Sequence, residues 1–118
     1  MDNFRELNIW KNGMSIAKEI LLITKTFPEL EKFGLISQIN RSVISIPSNI
    51  AEGSGRTTNK EFCRFLDIAL GSSFELETQL ILSFDLNYLI QEKFEELTEE
   101  LSELQRMIIG FKRSLNQG

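Results

Sequence analysis

An all-α, antiparallel up-down-up-down four-helix bundle is the fold this sequence predicts, and three observations predict it. Apolar residues recur in steps of three and four through almost the whole chain, not in alternation. Glycine and proline are sparse, at 7 and 2 residues, and the apolar spacing between them keeps to those steps. The intervening connections are short, which makes consecutive helices antiparallel neighbours. At 118 residues the chain suits one domain, residues 1–118, and its 42% hydrophobic content supplies a core.

The first helix is expected from about Asn8 to about Thr26. Trp10, Met14, Ala17, Leu21 and Thr24 form one stripe, and Ile16, Ile20, Ile23 and Phe27 form a second beside it. Pro28 biases Phe27 away from the helical region and supplies the stop. The second helix begins between Glu29 and Phe33 and reaches about Gly53. Its seam is Ile36, Ile39, Val43, Ile46 and Ile50. Pro47 lies inside that pattern, removes one backbone donor and predicts a kink. Gly53-Ser54-Gly55 is expected to close the helix through a left-handed glycine.

Thr58-Asn59-Lys60-Glu61 is a capping-box pattern that opens the third helix, which runs to about Leu89. Phe62, Leu66, Ala69, Ser73, Leu76 and Leu80 make one stripe, and Leu70, Phe74, Ile81, Phe84 and Tyr88 another. Ile68, Leu82 and Leu86 lie outside both. So broad an apolar surface exceeds what one side of a small bundle covers, and it predicts self-association. In the last helix Ile90, Phe94, Leu97, Leu101, Leu104, Ile108, Phe111 and Leu115 form a heptad seam. Glutamates crowd its N-terminal half and Arg106, Lys112 and Arg113 its C-terminal half, as the helix dipole favours. The glutamate run reads as a solvated face.

Composition excludes much chemistry. The chain has no His, so the commonest general base and metal ligand are both missing. Cys63 is the single cysteine, which forbids an intrachain disulfide or a cysteine zinc cluster and fits a reducing compartment. Glu75 and Glu77 diverge by about 200° around a helix and make no catalytic pair. The Glu-x-x-His pairs of a di-iron bundle are absent. No enzyme, no metal and no cofactor are expected. Thirteen Lys+Arg against 17 Asp+Glu give a formal charge of −4, against bulk capture by nucleic acid or an anionic membrane. No apolar run reaches the roughly 20 residues a membrane span needs, and the first residues lack a signal pattern, so a cytoplasmic protein is expected.

Two groups of residues could carry function. A polar stripe, Gln38, Ser42, Ser45, Asn49 and Glu52, runs beside the core seam of the second helix around Pro47 and Gly53. It reads chiefly as structural, Asn49 and Glu52 serving backbone groups freed by Pro47 or capping the neighbouring loop, with an inter-subunit or ligand-facing seam as the alternative. Arg41, Arg56, Lys60 and Arg64 are candidates for nucleic-acid or anion contact, the last three near the amides that open the third helix. The plainer alternative pairs Arg56 with Glu52 or Glu61. Gly53-Ser54-Gly55-Arg56 lacks the spacing of a phosphate loop. Gly71-Ser72-Ser73 suggests close helix packing, since a mid-helix glycine costs about 1 kcal/mol relative to alanine.

Phe4 to Lys11, Phe27-Pro28, Gly34-Leu35, Ser37-Gln38-Ile39, the block Ser45 to Gly53 with Gly55-Arg56, and Glu61-Phe62, Phe65-Leu66, Ile68 to Ser72 and Glu75 to Leu80 together carry a resemblance. In them the sequence resembles the bacterial four-helix-bundle proteins named for intervening sequences of the large-subunit ribosomal RNA gene, also called S23-type ribosomal proteins. The resemblance implies a four-helix bundle, a ring-like homopentamer and no established catalytic activity. Related accessory proteins of diversity-generating retroelements bind nucleic acid and a reverse transcriptase through a basic surface. Where the family often has two basic residues after Gln-Ile, this chain has Asn40-Arg41. The expected role is an interaction or scaffold module that assembles with copies of itself, with nucleic acid or a nucleoprotein as the alternative partner.

Overall fold

In a computed structural model, residues 3–117 are described, and four α-helices account for most of them: α1 (Asn8–Ile23), α2 (Leu35–Ser54), α3 (Asn59–Asp85) and α4 (Gln91–Gln117). Single 3-10 turns at Phe4–Glu6, Thr24–Thr26 and Glu29–Glu31 complete the secondary structure, and the described residues contain no strand. α2 packs on α1 and α3, α4 packs on α3 and α1, and the α2–α3 contact is the most extensive of the four.

The ends of the helices follow local chemistry. Phe27 before Pro28 is extended, at φ −74° and ψ 158°, so α1 and its trailing 3-10 turn stop where the proline requires. α2 begins later than the expected start between Glu29 and Phe33, because residues 29–31 take up a 3-10 turn and Gly34 leaves the helical region before Leu35. The helix then continues through Pro47 without a break. At the start of α3 the Thr58 hydroxyl accepts the Glu61 amide at 3.1 Å, forming that half of the capping box. α3 ends four residues short of Leu89. Asn87 adopts φ 66°, the Tyr88 amide reaches the Ser83 carbonyl at 2.9 Å, and the Asn87 amide reaches Phe84 at 3.0 Å. That is a Schellman closure with asparagine in the left-handed position.

The expected left-handed glycine after α2 is not there. Gly53 lies inside the helix, Gly55 caps it at φ −87°, and no described glycine has positive φ. Gly53 serves packing instead. A Cβ built on it would lie 2.6 Å from the Phe65 Cβ and 2.9 Å from the Phe62 ring, so α2 and α3 approach closely only because this residue has no side chain.

The core is the second α1 stripe with the central stripes of the other helices. Ile20, Ile39, Ile46, Ile50, Leu66, Leu76, Leu97, Leu101 and Ile108 are fully buried. The α4 seam runs as its heptad predicts from Phe94 to Leu115, but Ile90 precedes the helix and is 72% exposed. Cys63 is buried as a small core residue, with its thiol 3.4 Å from Asn116 Oδ1.

Candidate functional site

The polar stripe on α2 resolves into a helix–helix seam with solvated ends. The Ser42 hydroxyl lies 2.7 Å from Gln79 Oε1 on α3, and Ser45 and Ser72 hydroxyls meet at 2.9 Å. The Asn49 side-chain amide donates to the Ser45 carbonyl at 2.8 Å and its hydroxyl at 2.9 Å. The carbonyl orphaned by a proline at 47 belongs to Val43, so Asn49 does not serve the group expected of it. Gln38 and Glu52 are exposed, and Glu52 pairs with Arg56 at 3.3 Å. Among the described residues no buried side-chain polar atom lacks a partner, so this seam is a satisfied interior contact with no polar group left over to meet a ligand. Pro47 is buried too, and faces the point where Gly13 of α1 comes closest.

The four basic candidates do not form one group. Arg41 sits on the other half of α2, roughly 20 Å along the axis from the helix end that leads to Arg56. Arg56 is engaged locally: its guanidinium lies 4.6 Å from the centre of the Phe65 ring and bonds Glu52. Lys60 and Arg64 are exposed one turn apart on α3, next to that arginine. The Thr58 cap already occupies one of the amides that open α3.

α3 and its C-cap carry more exposed large apolar side chains than any other helix among the described residues. Ile68, Phe74, Ile81, Leu82 and Leu86 are each 44–50% exposed. Ile68, Leu82 and Leu86 fall on one stripe, because steps of 14 and 18 residues return almost to the same angle, and Glu75 lies on that stripe between them. Phe74 and Ile81 form a second exposed pair about a third of a turn around the helix, with Gly71 and Thr78 between the two. Gly71, on the same outer face, has no atom of the chain within 4 Å of where its Cβ would be. Its small size therefore has no purpose within the subunit. The close approach that the Gly71-Ser72-Ser73 patch suggested exists only at Ser72, which touches α2, and at Ser73, which is buried.

Two further features escaped the sequence reading. Between α1 and α2 runs an apolar groove of about 340 Å³, lined by Trp10, Met14, Ala17, Leu21, Ile44 and Pro47 with Lys18 at its edge. Its signal was the first α1 stripe, of which Ala17 and Thr24 are buried while Trp10, Met14 and Leu21 border the groove. The second is a carboxylate cluster where α1 meets α4. Oxygens of Glu19, Glu96 and Glu100 lie within 4.8 Å of one another. A shared hydrogen bond with Glu19 pushes the Glu100 carboxyl up to about 7, helped by partial burial and the Glu19 and Glu96 charges and opposed by Lys93. Glu96 and Glu100 stand one turn apart, but only the fold brings Glu19 to them.

Four helices with a closed apolar core, satisfied polar seams and an exposed apolar flank define the class: an all-α helical-bundle protein. Residues 5–110 match the family model described as 23S rRNA-intervening sequence protein, and the chain belongs to that family. The structure is similar to the crystal structure of a protein of unknown function from the S23 ribosomal protein family of Bacteroides thetaiotaomicron. The TM-score is 0.81 at 26% identity, covering 89% of this chain and 95% of that one. No curated protein matches. No helix among the described residues is long and apolar enough to cross a membrane.

Proposed function

We propose that this chain is a non-catalytic interaction module that works by assembling with copies of itself in the cytoplasm, as an antiparallel up-down-up-down bundle in a ring-like homopentamer. The observation that carries the reading is the exposed apolar face of α3, five large side chains near half exposure around a glycine that its own subunit leaves uncovered. Several large apolar side chains left half exposed on one helix are what contact with another copy would cover. The pairings along the helices support the antiparallel arrangement. Ser42, Ser45 and Gly53 of α2 meet Gln79, Ser72 and Phe65 of α3, one series rising as the other falls. Asp67 and Glu77 of α3 meet Lys112 and Gln105 of α4 in the same reversed order. The pentamer rests on the family resemblance. The absence of His and the local engagement of the buried hydroxyls support a non-catalytic role. Light scattering tests the proposal directly: a mass well above 13.6 kDa is expected at micromolar concentration, and a clean monomer refutes it.

A second reading, nucleic-acid or nucleoprotein contact, draws on Arg56, Lys60 and Arg64 around the α2–α3 turn, repeated in every copy of an assembly. RNA binding that weakens steeply with salt, and weakens uniformly when those residues are replaced, is its expected signature. No binding at low salt refutes it.

A further inference from the structure

We infer that the exposed band of α3 docks into the α1–α2 groove of a second copy of this chain, so that the subunits join head to tail through two different surfaces. The inference rests on the assembly proposed above and names the surface that the α3 band meets.

The first argument is fit. The band from Ile68 to Leu86 covers eighteen helical steps, about 27 Å. The groove runs along α1 from Trp10 to Leu21, about 17 Å, and Leu21 also lines the next hollow with Phe27 and Ile36, which extends the apolar floor. Both surfaces are apolar, and one is convex where the other is concave. Gly71 gives the band a gap beside Ile68, where a projecting side chain at the groove edge can enter. Ile44, 46% exposed, is such a side chain.

Charge then decides between partners. After Arg64 the chain has no Lys or Arg until Lys93, so the α3 band carries acids alone. Glu77 and Asp67 are turned to α4, bonded to Gln105 and Lys112, which leaves Glu75 within the band and Asp85 beside it. A two-fold contact of α3 with α3, centred on the band, sets the two Glu75 carboxylates about 6 Å apart along the axis with no cation between them. Like charges opposed in a drying interface disfavour that pairing. The groove offers the opposite sign. Lys18 lines it and Lys11 stands two turns earlier on the same face of α1, while Lys25, in the 3-10 turn after α1, lines the adjoining hollow with Lys32 and Glu29; the three lysines recur every seven residues and all are exposed. The one acid of α1, Glu19, turns away to α4. An acidic apolar ridge and a basic apolar groove on the same chain complement each other, and neither complements itself. Such a contact is heterologous, so successive copies continue until the rotation closes a ring.

The test uses two full-length variants, Leu82→Glu on the band and Ile44→Glu in the groove. Both positions are about half exposed, so each chain keeps its core, and circular dichroism checks this. Each variant alone is expected to be monomeric under conditions where the unaltered chain assembles. An equimolar mixture is expected to give a species of twice the 13.6 kDa chain mass and nothing larger, because one intact band then meets one intact groove. Lys18→Glu, at an exposed position, is expected to weaken assembly of the otherwise unaltered chain. If Ile44→Glu and Lys18→Glu keep the full assembled mass, or folded variants stay monomeric when mixed at the highest concentration reached, the groove is not the partner surface. Assembly of the unaltered chain still stands in that case. An unaltered chain that is itself monomeric refutes both the inference and the function on which it rests.

Discussion

Gly53→Ala is the substitution whose sign the structure determines most sharply. On helix propensity alone it should help, because alanine in a helix interior is favoured over glycine by about 1 kcal/mol. Gly53 lies within α2 and has no positive φ, so the backbone conformation raises no objection. The objection is steric. The new Cβ lands 2.6 Å from the Cβ of Phe65 and 2.9 Å from the Phe62 ring. The Phe65 Cβ is fixed to the α3 backbone, so relief requires the helices to separate, and Phe62 is buried against the core. Overpacking of this kind costs about 1–3 kcal/mol, and a contact with a backbone-anchored atom belongs at the upper end. Net of propensity, the loss is about 2 kcal/mol, or roughly 8 °C in the thermal midpoint of a domain this size. Urea or thermal unfolding at one fixed protein concentration measures it, since assembly makes apparent stability depend on concentration. Gly110→Ala is the internal control: nothing lies within 4 Å of its added methyl, so the same chemical change should stabilise by about 0.5–1 kcal/mol. If Gly53→Ala is as stable as the unaltered chain, the close α2–α3 approach described above is wrong.

Three other outcomes follow from the same structure. Glu100 holds its proton up to about 7 when folded, against an ordinary 4.5, so its contribution to stability is complete below about 4.5 and gone once pH rises past about 7. Stability should therefore decline across that interval by less than about 1 kcal/mol after solvent screening; Glu100→Gln should flatten the decline and stabilise the chain at pH 8, and an unchanged pH profile contradicts the cluster. Ser42→Ala removes the hydroxyl that meets Gln79 at 2.7 Å in the α2–α3 seam and should cost about 1 kcal/mol in urea unfolding; a stabilised variant would show that the seam is not closed as described. Leu101→Ala empties a fully buried position in the α4 heptad and should cost about 2–5 kcal/mol, whereas the same change at Ile90, 72% exposed, should be nearly neutral despite its place in the heptad pattern.

Much of the fold was legible because helical periodicity is written in nearest neighbours. The α4 seam from Phe94 to Leu115 and the Thr58 half of the capping box depend on residues three and four apart, and both are present. The misreadings share a different property: each depended on which helix stood opposite. Gly53 and Gly71 are the clearest pair. The first was assigned to a turn and proves to be the point of closest helix contact; the second was assigned to close packing and faces open space. A glycine in sequence states only that no side chain is needed, and the neighbour that explains why comes from elsewhere in the chain. The α1 stripes show the same ambiguity, since Trp10, Met14 and Leu21 have core spacing and yet border a groove.

The same reasoning shows why the candidate site was only half visible. The breadth of α3 could be counted along the sequence, and it correctly marked a surface with more apolar area than one bundle covers. Its complement could not be counted that way, because the groove exists only where α1 and α2 lie side by side with Ala17, Ser48 and Ala51 too small to fill the space between Trp10 and Ile44. Charge links the two halves. Seven-residue spacing of Lys11, Lys18 and Lys25, and a stretch of α3 with acids but no base, are plain in the sequence. They acquire a meaning only once the first is seen to edge a hollow and the second a ridge. A surface that is acidic and apolar, on a chain whose other apolar surface is basic, is poorly suited to meet its own copy face to face and well suited to meet the other surface. Specificity for a head-to-tail partner can therefore reside in charges that contribute little to the stability of the single subunit, which is why core periodicity alone did not reveal it.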